Sequence, residues 1–235
     1  MLGARHFIEQ DPKQKIKLCV LGEPTENRPI IASKGYMEYV FKIKGKSCHS
    51  SDPSLGVNAI FYLPKVLEKL QKLALHYQNI KDDNFKINYP TLNVGVIKAG
   101  EKTNIVCDNC EVYFDIRPTV TYGINNIKKD LDSLLFSIKN EFVDDLVEFS
   151  LCPLYEGIDA FKLSDNNFVT KLENICRKKA ITVNYATEAS FLNTKYKTVI
   201  LGPGSITNAH INNEYISIYS LIKCYKIITE IISCI

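Results

Sequence analysis

The amino-acid sequence predicts an α/β fold in which a split α/β domain contains an inserted ferredoxin-like β-α-β-β-α-β domain. Residues 16–21 and 198–201 are continuous apolar runs followed by Gly and Pro, which is typical of buried parallel strands. Between them, residues 36–152 combine strands of alternating polarity with two amphipathic helices. We therefore expect residues 1–35 and 153–235 to form the split domain, and residues 36–152 to form the inserted one.

The inserted domain is predicted from six segments. Alternation of apolar and polar residues indicates four strands, and apolar residues three or four positions apart indicate two helices. The strands are expected at 36–44, 92–96, 104–117 and 147–151, and the helices at 57–77 and 124–142. Pro64 should kink or divide the first helix, because an interior proline costs about 3 kcal/mol.

The segments on either side of residues 36–152 have the helix and strand patterns of an α/β domain. Residues 2–10 resemble the end of a helix that has no preceding cap. An amphipathic helix is expected at 167–179, with Ser164 or Asp165 near its N-cap, and a short strand at 183–184. Residues 216–235 are predicted to form a final packed helix rather than a membrane span, because charged residues interrupt the apolar run.

The composition is that of an ordinary globular protein. Apolar residues make up 46% of the 235-residue chain, and 29 basic residues against 26 acidic ones leave a net charge of +3. So small an excess argues against a nucleic-acid or membrane partner. No apolar signal segment occurs at the start, so a cytoplasmic location is expected, and the eight cysteines are expected to be reduced thiols.

Three side chains stand out as candidates for chemistry. Glu23 and His210 each follow a predicted buried strand, and the carboxyl ends of such strands are where open α/β sheets bind their ligands. These two residues could share a metal ion, although zinc normally takes three or four protein ligands and both could be ordinary loop residues. His49 lies between a strand and a helix of the inserted domain, where a hydrogen-bonded turn histidine is the simpler interpretation.

Several sequence blocks resemble one known family. The blocks are LGEPT, ASKG, GKSCHSSDPSLGVNAI, NYPTLNVGVI, TNIVCDNCEVYFDIRP, NYATEASF and LGPGSITNAH. In this order, and over essentially the whole chain, they resemble the acetylornithine deacetylases. These enzymes belong to the dinuclear-metal amidohydrolases and peptidases, which also include succinyl-diaminopimelate desuccinylase. The HSSDP, TEA and LGPGS blocks are similar to the acetylornithine branch.

The resemblance implies a role for each matching residue. Glu23 and His210 match metal ligands, and His49 matches a histidine that reaches the neighbouring subunit's active site and hydrogen-bonds the developing oxyanion. Substrate-binding positions are matched by Asn104, Arg117, Thr187 and Glu188. Arg117 is suited to hold the substrate's α-carboxylate. A bond from Glu188 to the substrate's terminal ammonium is a hypothesis from charge complementarity alone.

The resemblance also implies cofactors, a partner and a reaction. Two divalent metal ions, zinc or cobalt, would activate a water molecule and polarise the amide carbonyl. A glutamate would move the proton from this water to the leaving amine. A homodimer would form through residues 36–152. The expected substrate is N2-acetyl-L-ornithine, cleaved to acetate and ornithine in arginine biosynthesis; other N-acyl amino acids, such as succinyl-diaminopimelate, are the alternative.

The sequence departs from the family in one respect. The family has a His-x-Asp motif and a Glu-Glu pair upstream of the position of Glu23, and neither motif occurs in this chain. The chain is therefore expected to lack the N-terminal part of the catalytic domain and to be inactive alone. The alternatives are a non-catalytic remnant that still dimerises and an independent ferredoxin-like binding module.

Overall fold

The computed structural model describes residues 2–10, 16–143, 146–209 and 211–234. The structure contains two β-sheets together with α-helices, which confirms the mixed α/β class. In chain order the elements are α1 (Leu2–Gln10), β1 (Cys19–Leu21), β2 (Ile30–Ser33), β3 (Tyr36–Lys44), α2 (Leu63–Tyr77), β4 (Thr91–Ala99), β5 (Asn109–Arg117), α3 (Ile124–Glu141), β6 (Glu148–Ile158), β7 (Phe161–Lys162), α4 (Asn166–Cys176), β8 (Ile181–Val183), α5 (Ala189–Leu192), β9 (Thr198–Ile200) and α6 (Ile218–Ser233).

The chain divides into two compact units. One unit, the inserted unit, comprises residues 35–83 and 88–159. The other, the split unit, comprises residues 1–34, 84–87 and 160–235. The inserted unit therefore extends seven residues beyond the predicted end at 152, to Asp159. The short segment 84–87 belongs to the split unit.

The inserted unit is a four-stranded antiparallel sheet with two helices. Its strand order is β4-β5-β3-β6, and the element order is the predicted β-α-β-β-α-β. The alternate residues Cys110, Val112, Phe114 and Ile116 of β5 are buried in one core with residues of α2 and α3 such as Leu70. This burial follows from the period of two in a strand, which places alternate side chains on the same face.

The first helix of this unit begins later than its sequence predicts. Residues 53–55 and 59–62 form two short 3₁₀ turns, and α2 starts at Leu63 with Pro64 in its first turn. The helix predicted over 57–77 is therefore divided just before Pro64, which is one of the two outcomes expected of this proline. Proline is tolerated in the first turn because the amide hydrogen that it lacks would have no partner within the helix.

Strand β4 contains an irregularity that its alternating sequence does not reveal. Leu92 pairs with Ile116 and Val94 with Phe114, but the register shifts before Val96 pairs with Tyr113. Such a bulge adds one residue and moves the following side chains to the opposite face. Val96 is 49% exposed although its spacing from Leu92 and Val94 predicts the same face, and Ile97, on the opposite face, is 44% exposed, so neither face of β4 is buried after the bulge.

The split unit contains a five-stranded sheet. Its order is β1-β9-β2-β7, with β8 also paired to β2, and β1 is parallel to β9. The strands predicted at 16–21 and 198–201 are present in shorter form as β1 and β9. Strands β2 and β7 and the short helix α5 were not expected from the sequence. Two- to four-residue elements are too short to show a periodic pattern.

Helices α4 and α6 of the split unit agree with what their sequences predict. Asp165 caps α4 by accepting a 3.0 Å bond from the backbone N–H of Phe168, as its position in the sequence suggests. Helix α6 buries Cys224, Ile227 and Ile231 but leaves Tyr225 72% exposed, so it is packed on one face. No helix among the described residues is long and apolar enough to span a membrane.

Candidate functional site

Two loops of the split unit leave the sheet at the same edge. Strands β1 and β9 are parallel, with Leu21 opposite Ile200, so the residues that follow them emerge side by side. Glu23 lies in the first loop, and the second begins at Gly202 and leads towards position 210. This is the edge at which α/β sheets bind ligands. His210 itself lies outside the described residues.

The two loops are joined by hydrogen bonds around one carbonyl. The Gly202 oxygen accepts bonds from the backbone N–H of Thr25 (3.3 Å) and of Asn27 (2.8 Å) and from the Thr25 hydroxyl (3.2 Å). In return, the Gly202 N–H donates to Thr25 Oγ1 over 3.1 Å. The Glu26 N–H donates to the Gly204 oxygen. The position of the backbone next to Glu23 is therefore coupled to that of the second loop.

Gly202 is required where the loops meet. A Cβ atom at this position would lie 2.4 Å from the backbone oxygen of Glu23. Atoms cannot approach so closely without a shift of the backbone. Any larger residue at 202 would therefore push the Glu23 loop away from the second loop.

Tyr185 was not predicted as a site residue, but it lies within the electrostatic influence of Glu23. Burial raises the pKa of the Tyr185 hydroxyl, and the negative charge of Glu23 raises it further. Both effects favour the neutral phenol, which can donate a hydrogen bond. Tyr185 occurs in the NYATEASF block, two positions before Thr187, the first of its residues to which the resemblance gives a role.

Thr187 and Glu188 occupy the beginning of α5. Thr187 is buried, and its hydroxyl lies 3.4 Å from Ser33 Oγ and accepts a bond from the Ala189 N–H over 3.3 Å. Glu188 is the half-buried N-cap residue of α5. The Thr187 side chain thus holds the start of the helix, and Glu188 is presented at its positive end.

In the inserted unit, His49 and Asn104 lie on neighbouring segments. His49 and Ile105 form an antiparallel bridge, and the Ser50 N–H donates to the Asn104 oxygen over 3.0 Å. The loop closes tightly, since a Cβ at Gly56 would lie 2.6 Å from Cys48 Sγ. His49 and Asn104 are both exposed. The structure therefore brings together two residues that are 55 positions apart in the sequence.

The ring of His49 is oriented by a neighbour two residues away. Its Nδ1 atom lies 2.7 Å from Ser51 Oγ and accepts a 3.1 Å bond from the Ser51 backbone N–H. Among the described residues, the polar contacts of this ring are made by Nδ1 alone. The Nε2 atom is thus directed away from the loop's own hydrogen bonds.

Arg117 is held at the end of β5 by two neighbours. Its Nε atom donates to Asp115 Oδ1 over 2.9 Å, and its guanidinium lies 4.5 Å from the centre of the Tyr36 ring. Burial and the Glu38 and Asp115 carboxylates raise the pKa of Tyr36 to about 12. The phenol therefore stays neutral and supports the guanidinium through its ring face.

Arg117 and His49 lie at opposite ends of the same sheet. Arg117 is the last residue of the nine-residue strand β5, whereas the segment containing Asn104 precedes the first. At about 3.3 Å per residue, β5 alone separates these ends by about 26 Å. Tyr36 and Ile158, which pair where the chain enters and leaves this unit, lie at the Arg117 end. A single copy of the inserted unit cannot place Arg117 and His49 on one small substrate.

The described residues do not form a metal centre by themselves. No group of three or more His, Cys, Asp or Glu side chains within the described ranges is arranged to hold a metal ion. The carboxylate of Glu23 alone would be one ligand, which is fewer than the three or four that zinc takes from a protein.

Comparison with known proteins is consistent with this architecture. Residues 31–142 match the model of the M20 peptidase dimerisation domain. Over 222 residues the chain is 39% identical to acetylornithine deacetylase of Vibrio atlanticus and 38% identical to that of Aliivibrio fischeri. Each match covers 92% of this chain. Residues 31–142 therefore belong to the peptidase dimerisation domains, and the chain as a whole is similar to part of the acetylornithine deacetylases. It spans 57% of the length of these two relatives.

Solved structures share the fold over nearly the whole chain. A tripeptidase from Staphylococcus aureus superposes with a TM-score of 0.73 and 22% identity, covering 99% of this chain and 60% of the tripeptidase. An aminopeptidase, PepT, from Bacillus cereus superposes with a TM-score of 0.69 and 18% identity, covering 98% and 60%. Both comparisons support the mixed α/β fold. The related acetylornithine deacetylases and peptidases are hydrolases.

Proposed function

We propose that this chain forms part of an enzyme that hydrolyses the amide of N2-acetyl-L-ornithine to acetate and ornithine, in arginine biosynthesis. The observation that carries the proposal is the 39% identity, over 92% of this chain, to a protein named acetylornithine deacetylase. The parallel exit of the Glu23 and Gly202 loops supports a ligand site at that edge of the sheet. The expected location is the cytoplasm.

Arg117 is proposed to bind the substrate's α-carboxylate. Its Nε atom is already bonded to Asp115, which fixes the guanidinium plane and leaves the terminal nitrogens to form two parallel bonds to a carboxylate. Stacking on Tyr36 reduces the side-chain entropy that binding would otherwise cost. From the resemblance and from charge complementarity, Glu188 is proposed to pair with the substrate's terminal ammonium, and Thr187 to line its pocket.

His49 and Asn104 are proposed to act in the active site of a second copy of the chain. Their separation of about 26 Å or more from Arg117 supports this division, because β5 lies between them. In a homodimer, one site would combine Arg117 of one chain with His49 and Asn104 of the other. His49 would donate a hydrogen bond to the oxyanion that develops on the amide carbonyl.

A pair of divalent metal ions, zinc or cobalt, is the proposed cofactor. When bound, such ions lower the pKa of a water molecule and polarise a carbonyl group. Glu23 and His210 are the residues of this chain proposed as ligands. Two ligands are too few to complete a metal site, since zinc normally takes three or four from a protein.

A non-catalytic function as a dimerising protein is the second candidate. The match of residues 31–142 to a peptidase dimerisation domain favours it, because that match covers the inserted unit rather than the Glu23 and Gly202 loops. The two candidates differ in whether Glu23 and His49 have any effect on hydrolysis. Within the enzymatic candidate, succinyl-diaminopimelate and other N-acyl amino acids are the alternative substrates.

The proposal is tested by adding to this chain the part of a relative that this chain does not match. The part of the Vibrio atlanticus deacetylase that this chain does not match is fused to the 235-residue chain, and ornithine release from N2-acetylornithine is measured with added zinc or cobalt. We expect turnover that is lost in the Glu23→Ala fusion and is lower with succinyl-diaminopimelate. A folded, dimeric, metal-loaded fusion without turnover would favour the non-catalytic candidate.

A further inference from the structure

The hydrogen bonds of His49 determine which of its ring nitrogens carries the proton. A backbone N–H can only donate, so the 3.1 Å contact from the Ser51 N–H requires a lone pair on His49 Nδ1. The Ser51 hydroxyl, 2.7 Å from the same atom, must then donate as well. In the neutral ring the single proton consequently lies on Nε2.

We infer that Ser51 is a positioning residue that holds His49 in the Nε2–H tautomer, so that Nε2–H is the donor offered to the substrate. The ring orientation and the tautomer are set by one residue within the same loop. They therefore exist in the single chain before any second copy or substrate is present. In histidine, the hydrogen bond made by one ring nitrogen commonly determines whether the other nitrogen is protonated.

The inference refines the proposed role of His49 and rests on it only in its catalytic consequence. An oxyanion is stabilised by donors that are already oriented, because no energy is then spent on reorienting them during the reaction. In the other tautomer Nε2 would present a lone pair to the oxyanion, which is repulsive. The backbone N–H and the hydroxyl of Ser51 together thus convert a turn histidine with two possible tautomers into a dedicated donor.

The tautomer can be measured directly by NMR on the 235-residue chain. Histidine labelled with ¹⁵N gives distinct shifts for protonated and unprotonated ring nitrogens, and a His49→Gln sample identifies the signals of His49 among the four histidines. At about pH 8, where an ordinary histidine is neutral, we expect Nε2 protonated and Nδ1 unprotonated. A predominantly protonated Nδ1 overturns the inference.

Variants separate the hydroxyl from the rest of the loop. Ser51→Ala keeps the backbone N–H and removes one donor to Nδ1, so the ratio of Nδ1–H to Nε2–H should rise about 3- to 10-fold, as expected for one ordinary hydrogen bond. Ser51→Thr retains the hydroxyl and should restore the ratio. Ser50→Ala is the matched control and should leave the ratio unchanged. If Ser51→Ala behaves like Ser50→Ala, Ser51 has no positioning role.

The catalytic consequence is measured in the fusion described above. Ser51→Ala should lower kcat about 3- to 10-fold with little change in KM, because the oxyanion bond forms in the transition state. Ser51→Thr should recover the loss. If the tautomer shifts as expected but neither Ser51→Ala nor His49→Ala lowers kcat, the proposed function of His49 fails while the tautomer assignment stands. If His49→Ala lowers kcat and the tautomer is Nδ1–H, the assignment to Ser51 fails instead.

Discussion

Replacing Thr25 by Val should loosen the connection between the Glu23 loop and the Gly202 loop. The substitution conserves shape but removes a buried hydroxyl that accepts from the Gly202 N–H and donates to the Gly202 oxygen. The oxygen keeps its bonds from two backbone N–H groups, so its loss is small. The Gly202 N–H is left without an acceptor, and an unsatisfied buried donor costs about 1–3 kcal/mol. We expect Thr25→Val to lower the free energy of unfolding by about 1–3 kcal/mol.

The assay is urea unfolding of the 235-residue chain followed by circular dichroism, together with amide exchange of peptides from the split unit. Thr25→Ser is the matched control, because it keeps the hydroxyl and loses one methyl group, worth about 0.8 kcal/mol. Exchange should accelerate after β9 in Thr25→Val and remain slow in Thr25→Ser. If the two variants are equally stable and exchange alike, the hydroxyl does not join the loops and the reasoning is refuted.

Three further predictions concern activity and domain structure. The 235-residue chain alone should show no measurable hydrolysis of N2-acetylornithine, because it has no His-x-Asp or Glu-Glu motif; chelator-sensitive turnover by the purified chain would contradict this. In the fusion, His49→Ala should reduce kcat about 10²–10³-fold, and mixed dimers of the His49→Ala and Glu23→Ala chains should regain activity; verified mixed dimers that stay inactive would exclude action across the interface. In a fragment spanning residues 35–159, Asp159→Ala should lower the stability to urea by about 0.5–2 kcal/mol, because the Asp159 carboxylate accepts a bond from the Ile124 N–H at the N-terminus of α3; equal midpoints for the two fragments would argue against that contribution.

The elements that the sequence predicted well are long and strongly patterned. Strand β5 alternates buried and half-buried residues as its sequence alternates apolar and polar ones, and α3 repeats its apolar positions over five turns. Short elements such as β2 and β7 were missed because two to four residues contain no period. The late start of α2 and the bulge in β4 were missed, because the helix start and the strand register depend on packing partners distant in sequence.

The candidate residues were recognised from sequence blocks, but their grouping was not. LGEPT and LGPGS indicate Glu23 and the second loop, whereas the bonds between Thr25 and Gly202 link residues 177 positions apart and could only be seen once β1 and β9 were paired. Tyr185 and Ser51 were overlooked because tyrosine and serine are common in ordinary loops. His210 lies outside the described residues, so its role as a metal ligand remains a proposal.

The sequence by itself determined the fold class of this protein and the identity of the side chains available for chemistry. It also distinguished the apolar strands of the split domain from the strands of alternating polarity in the inserted domain. These follow from local periodicity and from residue type, which do not require knowledge of distant contacts. Only the tertiary structure decided that His49 lies beside Asn104 and about 26 Å or more from Arg117, because that separation is set by the direction and pairing of β5 in the sheet. The choice of ring nitrogen on His49 was likewise decided by the loop conformation, since a hydrogen bond depends on geometry and not on composition.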